Sequence, residues 1–198
     1  MYSHNHFQVQ VIRDMDEAAH LHPDVELLYV LEGEVYVTVH ETVYLMKTDD
    51  VLLINSSVRH TVSGKAKNIL CRVAYDYQVI ADLIQDSNGI FLCNSAADQE
   101  KSYETLQMLL RELVYEELLY DNRSASYKYS LLYQILDQLI EHFMEEHAGG
   151  RLLKDDRQDD EKLQQIIRYV YQNFQEVVSL SALADQMYVS KSTLSRFF

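Results

Sequence analysis

Proline occurs once, glycine five times, cysteine twice and tryptophan not at all in these 198 residues. So little proline and glycine excludes collagen-like and low-complexity classes. Two cysteines, Cys71 and Cys93, are too few for a disulfide framework, so both thiols are expected to be reduced. Long apolar runs are missing too: the longest, residues 27–31 and 51–54, fall far short of the ~20 residues that span a bilayer. No membrane partner is expected. The opening Met-Tyr-Ser-His-Asn-His-Phe has neither a basic region nor an apolar stretch of the kind a secretory signal needs, and the expected location is the cytoplasm.

Positive charge is the scarcest commodity. Seventeen Lys and Arg stand against 31 Asp and Glu, a net of −14, which excludes a chain-wide affinity for nucleic acid. The distribution is uneven, however. Residues 1–161 hold 13 basic and 29 acidic side chains, net −16, whereas residues 162–198 hold 4 and 2, net +2. That asymmetry marks the last 37 residues as a separate module.

What is present falls into successive patterns. Between Phe7 and Tyr77, short β-branched and aromatic runs are broken about every 8 to 12 residues by polar clusters, the rhythm of an antiparallel sandwich or barrel. The turn Leu31-Glu-Gly33-Glu-Val35 is expected to close a hairpin, with Gly33 at a positive φ. No ten-residue helical stripe appears before residue 98. Beyond it, Leu106, Leu109, Leu110, Leu113 and Val114 follow helical spacing, and a second stripe carries Leu132, Ile135, Leu136, Leu139, Ile140, Phe143 and Met144. The second stripe is wider than one neighbouring helix needs, so a homodimer through this hairpin is expected, with coverage of the chain's own β-region as the alternative. The organisation expected is α+β: a sensor barrel over 1–97, a helical dimerisation hairpin over 98–148, a charged linker over 149–161, and a partial helix-turn-helix over 162–198.

In the β-region, His20, His22 and Glu26 fall at close spacing ahead of Gly33. Residues two apart on an extended strand share a face, so all three can look into a barrel interior. Imidazole plus carboxylate suits iron, zinc, copper or manganese. The spacing H-x-H-x3-E-x6-G resembles the first motif of the cupin superfamily, and Asp49-Asp-Val-Leu-Leu-Ile-Asn-Ser-Ser-Val-Arg-His60 resembles the second. The resemblance implies a double-stranded β-helix barrel and places His60 with the other three as candidate ligands. It departs from the motifs at Asp49, where glycine is usual, and at Ser56 and Ser57, which replace proline and glycine. His20, His22, Glu26, His60 and Tyr36 are the candidate effector contacts. The first four could also hold a divalent transition metal, although no cofactor is required. Tyr29, Tyr44, His40 and Arg59 lie near the same motifs, and a saccharide is the favoured effector because aromatic faces with polar tips suit one.

In the last segment, Ser179 can cap a short helix and Ser190 the next, a helix-turn-helix whose second helix exposes Lys191, Ser192, Ser195 and Arg196. Leu183-Ala-x5-Ser190-x3-Leu194-Ser-Arg196-x-Phe198 resembles the first helix-turn-helix of the AraC/XylS transcription-factor family. Its members join a cupin sensor, a dimerisation hairpin and a DNA-binding domain in this order. The resemblance implies that Ser192, Ser195 and Arg196 face bases and that Lys191 meets phosphate. Since the family's domain continues beyond this point, the chain is expected to be truncated, with DNA the partner of the full-length protein. The rival expectation is a cupin metalloenzyme, a dioxygenase or isomerase using His20, His22, Glu26 and His60. A third is a dimerisation scaffold with an empty barrel.

Overall fold

The computed structural model describes residues 6–84, 90–98, 100–119, 125–145, 179–186 and 190–194. The chain divides into two compact units, Met1–Ala148 and Gly149–Phe198. In the first, eight strands follow one another: β1 Phe7–Arg13, β2 Asp16–His20, β3 Val25–Glu32, β4 Glu34–Val39, β5 Thr42–Lys47, β6 Val51–Ile54, β7 His60–Ser63 and β8 Ile69–Tyr75. They form two four-stranded antiparallel sheets, ordered β1-β8-β3-β6 and β2-β7-β4-β5. After them come α1 Tyr77–Ile84, β9 Ile90–Phe91, α2 Glu104–Leu119, α3 Ala125–Phe143 and β10 Met144–Glu145, with β9 and β10 paired.

The two faces of the first sheet explain its composition. Every residue from Val25 to Val30 is buried. Leu28 and Val30 join Val35, Val37, Met46, Val62 and Leu70 in a core between the sheets. Leu27 and Tyr29 join Leu106, Leu110, Leu113, Leu132, Ile135, Leu136 and Leu139 in a second core, beneath the helices. A strand covered on both faces reads as a continuous apolar run, whereas β4, covered on one, alternates. Burying a Leu or Ile side chain is worth roughly 1.5–3 kcal/mol, so these two cores dominate the cohesion of the unit.

The same core accounts for the width of the α3 stripe. Leu132, Ile135, Leu136, Leu139 and Phe143 are buried within their own chain, and Ile140 and Met144 pack partly against them. Tyr75 donates to the Leu132 carbonyl at 3.2 Å, tying the sheet to α3. Lys128 pairs with Glu117, and Tyr127 donates to Glu112 at 3.1 Å, where α3 returns beside α2. Among the described residues of the helical layer, the large apolar side chains left exposed are Met108, Tyr115, Leu118 and Leu119 on α2 and Tyr127, Tyr129 and Tyr133 on α3. The short helix α1, with Ile80 buried, was not visible as a stripe because it spans only eight residues.

The Gly33 turn differs from the expected hairpin. Gly33 does adopt φ 85°, but β3 pairs with β6 and β8 while β4 pairs with β5 and β7. The turn therefore carries the chain from one sheet to the other. Local turn chemistry reports a reversal and not which strand lies alongside, a choice made by the distant pairings of β3 and β4.

In the second unit, α4 Leu180–Gln186 and α5 Lys191–Leu194 are described. Leu183 and Ala184 are buried, and Ser190, Lys191 and Ser192 are exposed. The Ser190 and Ser192 hydroxyls lie 2.8 Å apart. Ser195, Arg196 and the linker expected over 149–161 lie outside the described residues.

Gly33→Ala tests the corner. The added Cβ would lie 2.5 Å from the Lys67 carbonyl oxygen at a backbone angle that L residues rarely adopt. A loss of about 2–3 kcal/mol in denaturant unfolding is expected. Ser57→Gly, at φ 61°, should be neutral or stabilising by up to about 1 kcal/mol.

Candidate functional site

Pairing register decides which side chains enter the barrel, because residues paired across a ladder share a face. On β3, Glu26 has the parity of Leu28 and Val30, both in the inter-sheet core. On β7, His60 has the parity of Val62. On β8, Arg72 pairs with Leu28 and has the parity of Leu70. All three point inward.

His20 and His22 arrive differently from the single extended strand suggested by their spacing. His20 ends β2 in the second sheet, His22 lies in the connection, and Glu26 is on β3 in the first sheet. On β2, Glu17 pairs with Val62 and His20 with His60, so three steps along one strand match two along the other. The extra residue of this bulge places both Glu17 and His20 on the inner face, which regular alternation would forbid for residues three apart.

The result is a cluster at one end of the barrel. The ring centroids of His20 and His60 are 4.3 Å apart, those of His22 and His60 5.2 Å, and those of His20 and His22 5.6 Å. Each ring is oriented the same way: Nδ1 of His20 faces the Ala18 carbonyl at 2.9 Å, that of His22 the Asp24 carbonyl at 3.1 Å, and that of His60 the Val58 carbonyl at 2.9 Å. A carbonyl only accepts, so the proton of a neutral ring belongs on Nδ1 and the Nε2 lone pair is free. One ligand nitrogen from each ring lies within 4.8 Å of the others.

Glu26 joins this cluster from below. Its Oε2 lies 3.2 Å from Nε2 of His60 and 3.6 Å from Nε2 of His22, and its Oε1 lies 2.6 Å from Nε of Arg72. These approaches do not amount to directed hydrogen bonds: Oε2 of Glu26, both histidine Nε2 atoms and Nε of Arg72 are buried without one. The two imidazole nitrogens and the carboxylate oxygen offer lone pairs that a metal or a ligand donor would satisfy, and Arg72 Nε is a donor beside them. Burial pushes Glu26 upward, but the Nε2–H of protonated His22 and His60, which face its Oε2, and the charge of Arg72 outweigh it and hold its carboxyl at about 2. Contact with Glu26 raises His22 above its ordinary value against the opposing effect of burial. The donor set, three imidazoles with free Nε2 and an adjacent carboxylate, fits a divalent transition metal.

Tyr36 is not brought to this cluster. Its neighbours Val35 and Val37 face the inter-sheet core, so its ring takes the opposite face of β4, where the Lys65 ammonium sits 4.5 Å over it. Tyr29 likewise faces away, donating to Asp49 Oδ1 at 2.6 Å and accepting from Arg111 Nε at 3.0 Å. Two residues absent from the sequence reading complete the site. Arg72 donates from Nη1 to Glu17 Oε1 at 3.0 Å and from Nη2 to Glu17 Oε2, so its fork holds Glu17 while its Nε faces Glu26. The available signal was a lone charge in the middle of the apolar run Ile69-Leu-Cys-Arg-Val-Ala-Tyr75.

The two residues that stand where the motif has glycine, Asp49 and Ser57, keep the backbone that glycine would supply. Asp49 adopts φ 72° and Ser57 φ 61°. The Asp49 N–H donates to the Val30 carbonyl at 2.9 Å, and the Ser57 N–H donates to the His22 carbonyl at 2.8 Å. The second contact fixes the histidine-bearing connection directly.

The cupin-domain family model matches residues 9–71, and the two antiparallel sheets are a cupin-like barrel. Uncharacterized HTH-type transcriptional regulators of Staphylococcus aureus strains MSSA476 and N315 are each 23% identical over 172 residues, 86% of this chain and 22% of theirs. The chain thus spans about a fifth of the length of these relatives. Among solved structures, a cupin-2 domain protein of Shewanella frigidimarina is 17% identical, covering 37% of this chain and 74% of that one at a TM-score of 0.34. The Cnp3 cupin domain of Schizosaccharomyces pombe is 17% identical, covering 42% and 61% at a TM-score of 0.36.

The Glu26 arrangement has a consequence for acid stability. A carboxyl held at about 2 when folded and near its ordinary value of 4.5 when unfolded stabilises the fold fully above pH 4.5 and loses that contribution as pH falls toward 2. In chelator-treated protein, wild type should lose on the order of 3 kcal/mol over this window. Glu26→Gln should show a flatter profile there. Parallel acid-unfolding profiles for the two would refute the assignment.

Proposed function

We propose that this chain is the sensor and first DNA-reading part of a ligand-responsive transcriptional regulator of the AraC/XylS type. The observation that carries the reading is that proteins named HTH-type transcriptional regulators align with 86% of it. The cupin-like barrel with inward-facing polar side chains supports a sensing role for the first unit. The exposed Ser190, Lys191 and Ser192 support a reading role for the second.

In this reading, the three imidazoles and Glu26 hold a small polar effector, a saccharide or its derivative, directly or through a bound metal. When present, the metal supplies a Lewis-acidic point for the effector's oxygens. The protein supplies Nε2 of His20, His22 and His60, with Glu26 held by Arg72. An effector changes DNA affinity only by as much as it prefers one arrangement of the protein over another. Domain bounds of 1–97, 98–148, 149–161 and 162–198 belong to this proposal, as do base contacts from Ser192, Ser195 and Arg196 and a phosphate contact from Lys191. So does a homodimer, assembled through the exposed Met108, Tyr115, Leu118 and Leu119 of α2.

A second reading, a cupin metalloenzyme of the dioxygenase or isomerase kind, is favoured by one observation: the three converging histidines form a group that could hold a metal ion. Selection from a random DNA pool by the full-length protein separates the two. Recovery of a defined sequence supports the regulator, and failure to enrich any sequence overturns it. On the selected DNA, Arg196→Ala should cost about 1–3 kcal/mol and relax one base position, while Lys191→Ala should weaken all sequences alike.

For the dimer, sedimentation equilibrium is the measurement. Association at tens of micromolar corresponds to about −6 to −7 kcal/mol. Leu118→Asp should abolish it without loss of fold, whereas Leu139→Asp should unfold the helical layer because Leu139 is fully buried. A wild-type monomer at that concentration would remove the dimer from the proposal.

A further inference from the structure

We propose that Arg72 is the anchor for a carboxylate group of the effector, and that Glu17 is a built-in carboxylate occupying that anchor until the effector displaces it. The inference rests on the effector-pocket reading and narrows it to an acid. The guanidinium is shared between two carboxylates of unequal standing. On its inner side, Nε faces Oε1 of Glu26, whose side chain is 2% exposed. On its outer side, Nη1 and Nη2 meet the two oxygens of Glu17, whose side chain is 34% exposed. Glu26 is fixed in the interior; Glu17 can leave to water.

Three features mark the outer position as exchangeable. Glu17 lies on β2, an edge strand of the second sheet, so its departure breaks no ladder between interior strands. Pairing with β7 slips between Glu17 and His20, which leaves this stretch held by fewer regular contacts. Finally, Oε2 of Glu17 is 3.7 Å from Nε2 of His20. A carboxylate taking its place would therefore lie between the arginine fork and one of the three nitrogens of the histidine cluster. The Glu17 carboxylate shows the shape that fits: two coplanar oxygens against a two-pronged donor.

Charge decides between a carboxylate and a phosphate. The guanidinium carries one positive charge and already faces Glu26 on the inner side. A monoanion replacing Glu17 leaves the local charge unchanged, whereas a dianion would add uncompensated negative charge beside a buried carboxylate. The structure thus favours a monocarboxylic acid, such as a sugar acid, over a sugar phosphate or a neutral sugar.

The test compares acetate binding to the 198-residue chain and its Glu17→Gln variant, in chelator, by line broadening of carbon-13-labelled acetate. Glucose and inorganic sulfate serve as controls. Glu17 is held in place on the same fold and so competes at an effective concentration far above that of a flexibly linked group; its removal should tighten acetate binding at least tenfold. Arg72→Lys, which keeps the charge but not the fork, should abolish it. Glu17→Ala is the second variant, and thermal melts establish that each is folded. Equal acetate affinity in wild type and Glu17→Gln, or no binding by the variant up to about 100 mM, overturns the proposal. Sulfate binding as tightly as acetate overturns the commitment to a carboxylate. The underlying pocket is read separately by zinc and glucose thermal shifts. Zinc or glucose binding with no acetate preference sinks the anion anchor alone, and the absence of all three sinks the pocket as well.

Discussion

A buried carboxylate must be compensated by its surroundings or it will not ionise, and Glu26 imposes that constraint on the barrel. Moving such a group out of water costs several kcal/mol even after relaxation. The compensation comes from three separate parts of the chain: Arg72 on β8, His60 on β7 and His22 in the connection from β2 to β3. Strands of both sheets are thereby committed to one point. The same requirement suits the ring orientations of His22 and His60, which turn Nε2 toward Glu26 and Nδ1 toward a backbone carbonyl.

The first sheet connects that point to the helices. β3 carries Glu26 on its inner face and Tyr29 on its outer face, three residues apart. Tyr29 donates to Asp49, which also accepts from Arg111 Nη2 of α2 at 2.9 Å. The Asp49 carbonyl accepts from Gln107, likewise on α2, at 2.9 Å. Tyr29 and Arg111 hold the Asp49 carboxyl below its ordinary value. A shift of β3 on filling the barrel would thus reach α2 through polar contacts as well as through the apolar core.

Legibility followed the range of the interaction. The apolar run of β3, the alternation of β4 and the stripes of α2 and α3 were readable because they reflect one face or two faces buried over consecutive residues. His20, His22, Glu26 and His60 were readable through spacing that resembles a known motif. Asp49 and Ser57 read as departures, but the positive φ at each shows that the motif constrains backbone conformation more than side chain. Tyr36 misled because proximity in sequence to a motif does not set parity on a strand. Arg72 and Glu17 escaped because they are 55 residues apart and meet only through the pairings of β8 with β3 and of β2 with β7.

From the sequence by itself came the order of parts: a β-region, two long amphipathic helices and a terminal segment of opposite charge balance. The candidate ligands came with it, since residue type and spacing are local properties. Tertiary structure alone decided that the Gly33 turn joins two sheets, that the wide α3 stripe lies in its own chain's core, and that a bulge in β2 turns both Glu17 and His20 inward. Each of these depends on which distant strand lies alongside, and such pairings are set by burial and hydrogen bonding summed over the whole barrel rather than by any one segment.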